Sequence, residues 1–175
     1  GQFEIVRENV LGRSNLVFRH APPNVRAVWL GSRQFNSATY LVYNDERISY
    51  SEAHESVDRV AGWLASQGVI KGDRVGISMR NYPEWLLIYW ACLASGITIV
   101  GFNAWWTSEE LAYALSDSKP KFLFVDDERV SRASDALAAH PATRLIGVRT
   151  AEQVPGGLTW ADVVSHAPAM PEVEI

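Results

Sequence analysis

The chain has 175 residues, with 16 Lys and Arg against 20 Asp and Glu, and its formal net charge of −4 at pH 7 excludes a basic nucleic-acid-binding domain. Hydrophobic residues make up 47% of the chain and charged residues 21%, which is typical of a globular protein and excludes a disordered one. A single cysteine cannot form an intramolecular disulfide, and the start of the chain has no apolar segment typical of a secretion signal, so we expect a cytoplasmic protein.

Residues 1–38 are predicted to form an irregular N-terminal arm. No hydrophobic period is sustained up to about Gly31, and Pro22-Pro23 favours extended backbone. A small β-hairpin is predicted next, because the β-formers of 40–43 and 47–49 flank a turn-prone Asn-Asp-Glu. The first residue is Gly, so we expect the sequence to be a piece of a longer polypeptide.

Three capping boxes predict three helix starts after the hairpin. In this motif a polar side chain and an acidic side chain three residues later satisfy backbone N–H groups that the helix leaves free. The boxes begin at Ser49, Asn81 and Thr107. The first opens an amphipathic helix predicted over 50–67, with apolar residues at helical spacing and Gly68 placed to end it.

Between the helices lie four short apolar runs that predict buried strands. Val75, Ile97, Phe122 and Arg144 mark the four runs and are separated by 22, 25 and 22 residues, and each interval holds one helix and two loops. This spacing is typical of βαβ units with parallel strands. The predicted fold is therefore α/β over residues 39–150, a doubly wound, mostly parallel sheet flanked by helices. The strands are 74–78, 97–100, 122–125 and 144–148.

Residues 151–175 are predicted to form a linker-like tail. They contain Pro155-Gly156-Gly157, one helical turn at 160–164 and two further prolines, without a hydrophobic period. We expect this segment to lead into a structural element that the sequence does not contain.

No charged residue occurs between Trp85 and Ser108, a stretch long enough to be considered as a membrane span. Gly96 interrupts it, however, and the next four residues favour a strand. A buried helix followed by a buried strand explains the same residues and agrees with the strand spacing on either side.

Recognised phosphate-binding and nucleophilic motifs are absent from the sequence. Met79-Arg80 stands in the first βα turn, where a dinucleotide-binding fold would carry glycines, and no P-loop sequence occurs. Cys92 lies within an apolar helix and is interpreted as a core residue, and the four histidines do not cluster. The acidic run 126–128 could ligate a cation, but a solvated turn neutralised by Arg129 and Arg132 is the preferred interpretation.

Trp105 and Trp106 are the candidate site residues. Two adjacent tryptophans just before a helix start cannot both face one small core, so we expect one to contact something beyond it. The candidates are a missing domain, a partner chain, a lipid surface and an acyl substrate.

One order of motifs runs along residues 39–128. It consists of the helix start at Ser49, Gly68-Val69-Ile70-Lys71-Gly72-Asp73-Arg74-Val75, Asn81-x-Pro83-Glu84-Trp85, Ala94-Ser95-Gly96, Asn103 and Glu109-Glu110-Leu111. This order resembles the N-terminal region of the adenylate-forming (AMP-binding) superfamily. The form Gly101-x-Asn103-x-Trp105-Trp106-Thr107 is most similar to its bacterial acyl-CoA synthetases that act on fatty or related acids. The chain departs from the family's usual pattern at Gly101 and at Met79-Arg80.

The resemblance implies a ligase that activates a fatty or other carboxylic acid as an acyl-adenylate and transfers it to coenzyme A, with ATP, Mg²⁺ and coenzyme A as cofactors. The family's catalytic motifs are not in this sequence, so the resemblance assigns no catalytic, cofactor-binding or metal residue here. It implies that an ATP-binding segment follows residue 175, and that the fragment alone is inactive and binds no cofactor.

Two other interpretations remain open. The chain could be a stand-alone α/β module that binds a ligand or a protein without catalysis. The tryptophan-rich segment could also form a peripheral membrane contact or a homodimer surface.

Overall fold

The computed structural model describes residues 1, 3–151, 154 and 156–175. The strands are β1 (Ile5–Val10), β2 (Arg13–Phe18), β3 (Thr39–Tyr43), β4 (Glu46–Ser49), β5 (Arg74–Ser78), β6 (Thr98–Gly101), β7 (Phe122–Asp126), β8 (Arg144–Val148) and β9 (Leu158–Thr159). The helices are α1 (Val25–Gly31), α2 (Tyr50–Ser66), α3 (Pro83–Ala94), α4 (Ser108–Ser118), α5 (Val130–Leu137) and α6 (Trp160–Val164). Short 3₁₀ turns lie at Ser32–Phe35 and Asp127–Arg129.

The centre of the fold is a five-stranded parallel sheet in the order β6-β5-β7-β8-β9. Its strands are apolar because both faces are covered. Val75, Phe124 and Ile146 pack on one face in the same cluster as residues of α2, α3 and α6. Leu123 and Leu145 pack on the other face with residues of α4 and α5. The predicted doubly wound α/β fold is confirmed.

The four predicted strands are found at or within one residue of their expected positions, and β9 was not predicted. It has only two residues and carries no pattern that a sequence could reveal. The predicted hairpin is β3-β4, an antiparallel pair with a register shift near Thr39.

The N-terminal arm contains more regular structure than its sequence indicates. Strands β1 and β2 pair as a second hairpin, and α1 begins at an Asn24 cap. The hairpin carries no clear period of two, because its side chains are mostly exposed and the chain has no core face to mark there.

The segment predicted to be linker-like is packed along the core. Arg59 donates to the carbonyl of His166 at 3.0 Å, and Ala169 N donates to the carbonyl of Asp58 at 3.0 Å. Arg26 donates to the carbonyl of Pro171 at 2.8 Å. These contacts join residues more than a hundred positions apart, so no local pattern could indicate them.

Two of the three predicted capping boxes are formed, at Ser49 and Thr107. The one predicted at Asn81 is wrong: α3 is capped by Tyr82 without a side-chain hydrogen bond, and Pro83 opens the helix. Glu84 instead accepts from Arg149 at 2.9 Å, a long-range partner that competes with the local cap. A further capping box at Thr159 and Asp162, which was not predicted, begins α6.

The charge-free stretch is divided between α3, which has 12 residues, and β6. Along the described residues, the structure contains no helix with both the length and the apolar character needed to cross a membrane.

Gly76 in β5, the strand beside β6, lets an aromatic ring approach the sheet. A Cβ atom at this position would lie 2.5 Å from the ring of Phe102 and 2.9 Å from Leu123. Phe102 comes directly after β6 and is itself buried. The ring therefore anchors the loop that leaves β6 to the middle of the sheet.

An aromatic stack joins the arm to the core. The Trp29 ring lies between His54, at a centroid distance of 4.0 Å, and Trp90, at 4.9 Å. His54 is 4% exposed and its Nε2 is 2.9 Å from the hydroxyl of Ser32. Burial, and secondarily the charge of Arg33, lower the pKa of His54 from 6.5 to about 4.

This lowered pKa predicts a loss of stability in mild acid. Below about pH 6.5 the unfolded chain takes up a proton on His54 that the folded chain refuses, so stability falls as the pH decreases toward the folded pKa. Between about pH 7.5 and 4.5, we expect the free energy of unfolding to fall by about 2 kcal/mol more in the wild type than in His54→Leu. Urea denaturation of both proteins at both pH values measures this difference. The pH dependence that comes from the carboxylates is common to both proteins and cancels when they are compared. Parallel pH profiles would contradict the prediction.

Candidate functional site

The order of the parallel strands places a crevice at the carboxyl ends of β5 and β7. From β5 the chain crosses to β6 on one side, and it then returns to β7 on the other side. Ligands of open α/β sheets bind outside the carboxyl ends of the strands at such a switch point. We give the name switch-point edge to three segments at the carboxyl ends of β5, β6 and β7. These segments are residues 79–82, 102–106 and 126–132.

A buried ion pair holds this edge together. Arg129 Nη1 lies 3.0 Å from Asp126 Oδ2 and 3.1 Å from Oδ1, and both side chains are 2% exposed. The same carboxylate accepts from the backbone N–H of Arg80 at 2.9 Å, which ties the end of β7 to the end of β5. The prediction of a solvated turn at 126–128 is therefore wrong for Asp126, although its neutralisation by Arg129 is correct.

Arg129 and Arg132 also hold the loop after β6, residues 102–106, which we call the tryptophan loop. Arg129 Nε donates to the carbonyl of Ala104 at 2.9 Å, and Arg132 Nη1 donates to the carbonyl of Trp106 at 3.1 Å. Arg132 was expected to neutralise the acidic run, but it is used for this backbone contact instead. The loop after β6 is thus attached to the segment after β7 by charged donors.

The adjacent tryptophans lie in different environments. Trp106 is partly buried, and its ring meets Phe102 edge-on at a centroid distance of 6.2 Å. Trp105 is 69% exposed, and the guanidinium carbons of Arg80 and Arg129 each lie 5.3 Å from its ring centroid. The edge therefore presents an open indole ring beside two guanidinium groups. Both are paired with carboxylates: Arg80 lies 3.3 Å from Glu128, and buried Arg129 lies 2.9 Å from Glu128 in addition to its bonds with Asp126.

One donor group of the edge has no protein partner. Within the described part of the chain, Arg129 Nη2 is buried and makes no hydrogen bond. Buried guanidinium N–H groups normally find acceptors, and an exception calls for a bound molecule or a functional role. The group belongs to the same side chain that lies against Trp105.

A second charged cluster borders the edge at the end of β8. Arg149 donates to both oxygens of Glu46 at 2.7 Å and to both oxygens of Glu84 at 2.9 and 3.0 Å. Its guanidinium lies 5.1 Å from the rings of Tyr43 and Tyr82. These bonds raise the pKa of Arg149 and lower that of Glu46, so the pair of Arg149 and Glu46 stays charged near neutral pH.

Sequence reasoning missed this cluster. Glu46 and Glu84 lie 103 and 65 positions from Arg149, and no local motif links them. The available signal was the position of Arg149 directly after a buried strand, where side chains reach the carboxyl edge of the sheet.

Other candidate residues lie away from the edge. Cys92 is fully buried, and burial raises the pKa of its thiol, so it is a core residue as predicted. Among the described residues no group of three His, Cys, Asp or Glu side chains could hold a metal ion. The acidic run of 126–128 thus offers no such group.

The ion pair leads to a prediction about stability. Arg129→Met removes the charge that compensates buried Asp126, and we expect the free energy of unfolding to fall by about 3–5 kcal/mol. Arg80→Met removes an exposed pair with Glu128, at 3.3 Å, and an exposed contact with the Trp105 ring, and should cost less than about 1 kcal/mol. Chemical denaturation compares the two variants. Equal losses would show that the buried pair does not hold the edge.

The chain was compared with known proteins. The family model described as AMP-binding enzyme matches residues 29–173. The acyl-CoA ligase sidI of Aspergillus fumigatus is 33% identical over 107 residues, which cover 60% of this chain and 18% of that protein. The medium/long-chain-fatty-acid–CoA ligase FadD6 of Mycobacterium tuberculosis is 30% identical over 137 residues, which cover 78% of this chain and 23% of that protein.

Solved structures agree with this family match at the level of the fold. The anthranilate CoA ligase AuaEII, in complex with anthranoyl-AMP, superposes with a TM-score of 0.80 at 20% identity, over 86% of this chain and 29% of that one. The matched region spans less than a quarter of the length of both curated relatives named above. Because the family model covers most of the chain, this protein belongs to the AMP-binding enzyme family.

Proposed function

We propose that the full-length protein is an ATP-dependent acyl-CoA synthetase of the cytoplasm, and that these residues belong to its N-terminal region. The family match over 29–173 is the observation that carries the proposal. The names of similar proteins, which include ligases for medium- and long-chain fatty acids, favour a fatty acid as the substrate. We place the residues that bind ATP and Mg²⁺ in other parts of the polypeptide.

The proposed reaction has two balanced steps. A carboxylate oxygen of the acid attacks the α-phosphate of ATP, pyrophosphate leaves, and an acyl-adenylate is formed. The thiolate sulfur of coenzyme A then attacks the acyl carbon, and AMP leaves with the bonding electron pair as the thioester forms. The proton of the thiol passes to solvent or to a base.

An acid panel tests this function on the full-length protein. We expect ATP–pyrophosphate exchange and thioester formation with medium or long aliphatic acids, and weak exchange with benzoate or amino acids. The 175-residue chain alone is the control and should give no exchange with any acid. A full-length protein that turns over only aryl or amino acids would overturn the fatty-acid assignment, and one that is inactive with every acid would favour the alternative of a non-catalytic binding module.

The switch-point edge is proposed to contact the nucleotide part of coenzyme A. Coenzyme A carries an adenine ring and several phosphates, so it needs a stacking surface and positive charges. Trp105 offers an exposed ring. The guanidinium group of Arg80 lies beside that ring, and the Arg80 side chain is about half exposed. The residues present therefore fit the group by their chemistry.

The free donor of Arg129 supports the same placement. Its buried Nη2 group could donate a hydrogen bond to a phosphate oxygen or to a ring nitrogen of the nucleotide. The ion pair of Arg129 with Asp126 would then hold the site in position. This proposal replaces the expectation from sequence that no cofactor contacts these residues.

Trp105→Ala in the full-length enzyme tests this contact. Loss of one stacking ring should raise the KM for coenzyme A by about tenfold, while the KM values for ATP and the acid stay unchanged. Tyr113→Ala is the matched control, because Tyr113 is 77% exposed on α4 and lies outside the edge. An unchanged KM for coenzyme A would contradict the contact. If Trp105→Ala instead impaired binding to lipid vesicles, the ring would be assigned to a membrane surface.

A further inference from the structure

A cavity lies between the N-terminal arm and the core, away from the switch-point edge. It has a volume of about 430 Å³ and is bordered by α1, the following 3₁₀ turn, β3, the start of α2 and the middle of α3. Trp90, on its α3 side, lies about 10 Å along the helix axis from Pro83, where α3 leaves the edge. The cavity is therefore a separate feature of the molecule.

Five of the eleven residues that line the cavity are aromatic. The five aromatic residues are Trp29, Phe35, Tyr40, Tyr50 and Trp90. Tyr50 connects them, because its ring centroid lies 4.7 Å from that of Tyr40 and 5.0 Å from that of Phe35. The Trp90 indole N–H donates to the Tyr40 hydroxyl at 2.6 Å, which holds two of the walls in place.

Among the residues that the structure describes, no charged side chain borders the cavity. Burying a charged group of a ligand there would leave it without a counter-ion, at a large cost in free energy. The nearby charge of Arg33, which helps to lower the pKa of His54, further disfavours a cation. The lining therefore selects an uncharged ligand, and its volume lies in the range of small-molecule sites.

The aromatic wall also carries an unused hydrogen-bond donor. Trp29 is 1% exposed, and within the described part of the chain its Nε1 atom makes no hydrogen bond. An indole N–H that is buried without an acceptor is uncommon, and a bound acceptor would remove the penalty. This donor is independent of the shape and charge of the cavity.

We propose that this cavity binds a small uncharged aromatic molecule with a hydrogen-bond acceptor, such as an aromatic amide or ketone. The rings of Phe35, Tyr50 and Trp90 stack on the ligand, and the N–H of Trp29 donates to its carbonyl oxygen. The site is independent of the proposed ligase activity, since it shares no residue with the switch-point edge.

Benzamide is the probe for this site, and ligand-observed NMR titration of the full-length protein measures its affinity. Benzylamine has a similar size but is cationic, and we expect it to bind at least about tenfold more weakly. Comparable affinities for the two probes would overturn the assignment of an uncharged ligand, and the absence of saturable benzamide binding would overturn the site.

Val28→Glu places a carboxylate at the cavity and should weaken benzamide by at least about tenfold. Val25→Glu is the matched control: both residues lie on α1 and are similarly exposed, at 48% and 46%, but Val25 does not border the cavity. Circular dichroism confirms that both variants fold. Equal binding by the two variants would overturn the location.

Trp29→Phe retains a ring and removes the donor, and it should weaken benzamide by about fivefold. Phe35→Ala, at a half-exposed position, removes one wall and provides a second variant that is safe for folding. Unchanged affinity in both variants would overturn the contacts. Self-association abolished by Val28→Glu would instead assign the cavity to an interface between copies of the chain.

Discussion

The buried pair of Arg129 and Asp126 is the interaction on which the switch-point edge depends. The Asp126 carboxylate accepts hydrogen bonds from Arg129 and from the backbone N–H of Arg80 in the turn after β5. Arg129 also donates to the carbonyl of Ala104. Three chain segments from three strands therefore meet at two side chains. Because neither charge can be buried alone, each segment is required to be in place before the others are stable there.

Much of the fold could be predicted because it depends on local patterns. The parallel strands are continuously apolar, since both faces of the sheet are covered, and their even spacing follows from the helix that each crossover needs. The capping boxes at Ser49 and Thr107 worked because both partners of each box lie within one turn. The box at Asn81 failed because Arg149, 65 positions from Glu84, takes that carboxylate.

Of the candidate site, the sequence drew attention to the two tryptophans but not to the arginines and carboxylates around them. Two adjacent tryptophans cannot share one environment, and this steric argument drew attention to the loop after β6. It could not say which ring is exposed, because that depends on Phe102 packing on Trp106 and on the arginines that hold the loop. The burial of Arg129 and the cluster of Arg149 result from long-range contacts and leave no trace in local composition.

Gly76 links the interior of the sheet to the chemistry at its edge. The ring of Phe102 occupies the space that a side chain at position 76 would need, and Phe102 in turn supports Trp106. A larger residue at position 76 would displace the ring of Phe102 and with it the start of the tryptophan loop. A substitution in the interior of the sheet would thus change the position of an exposed indole ring that the substituted residue does not contact.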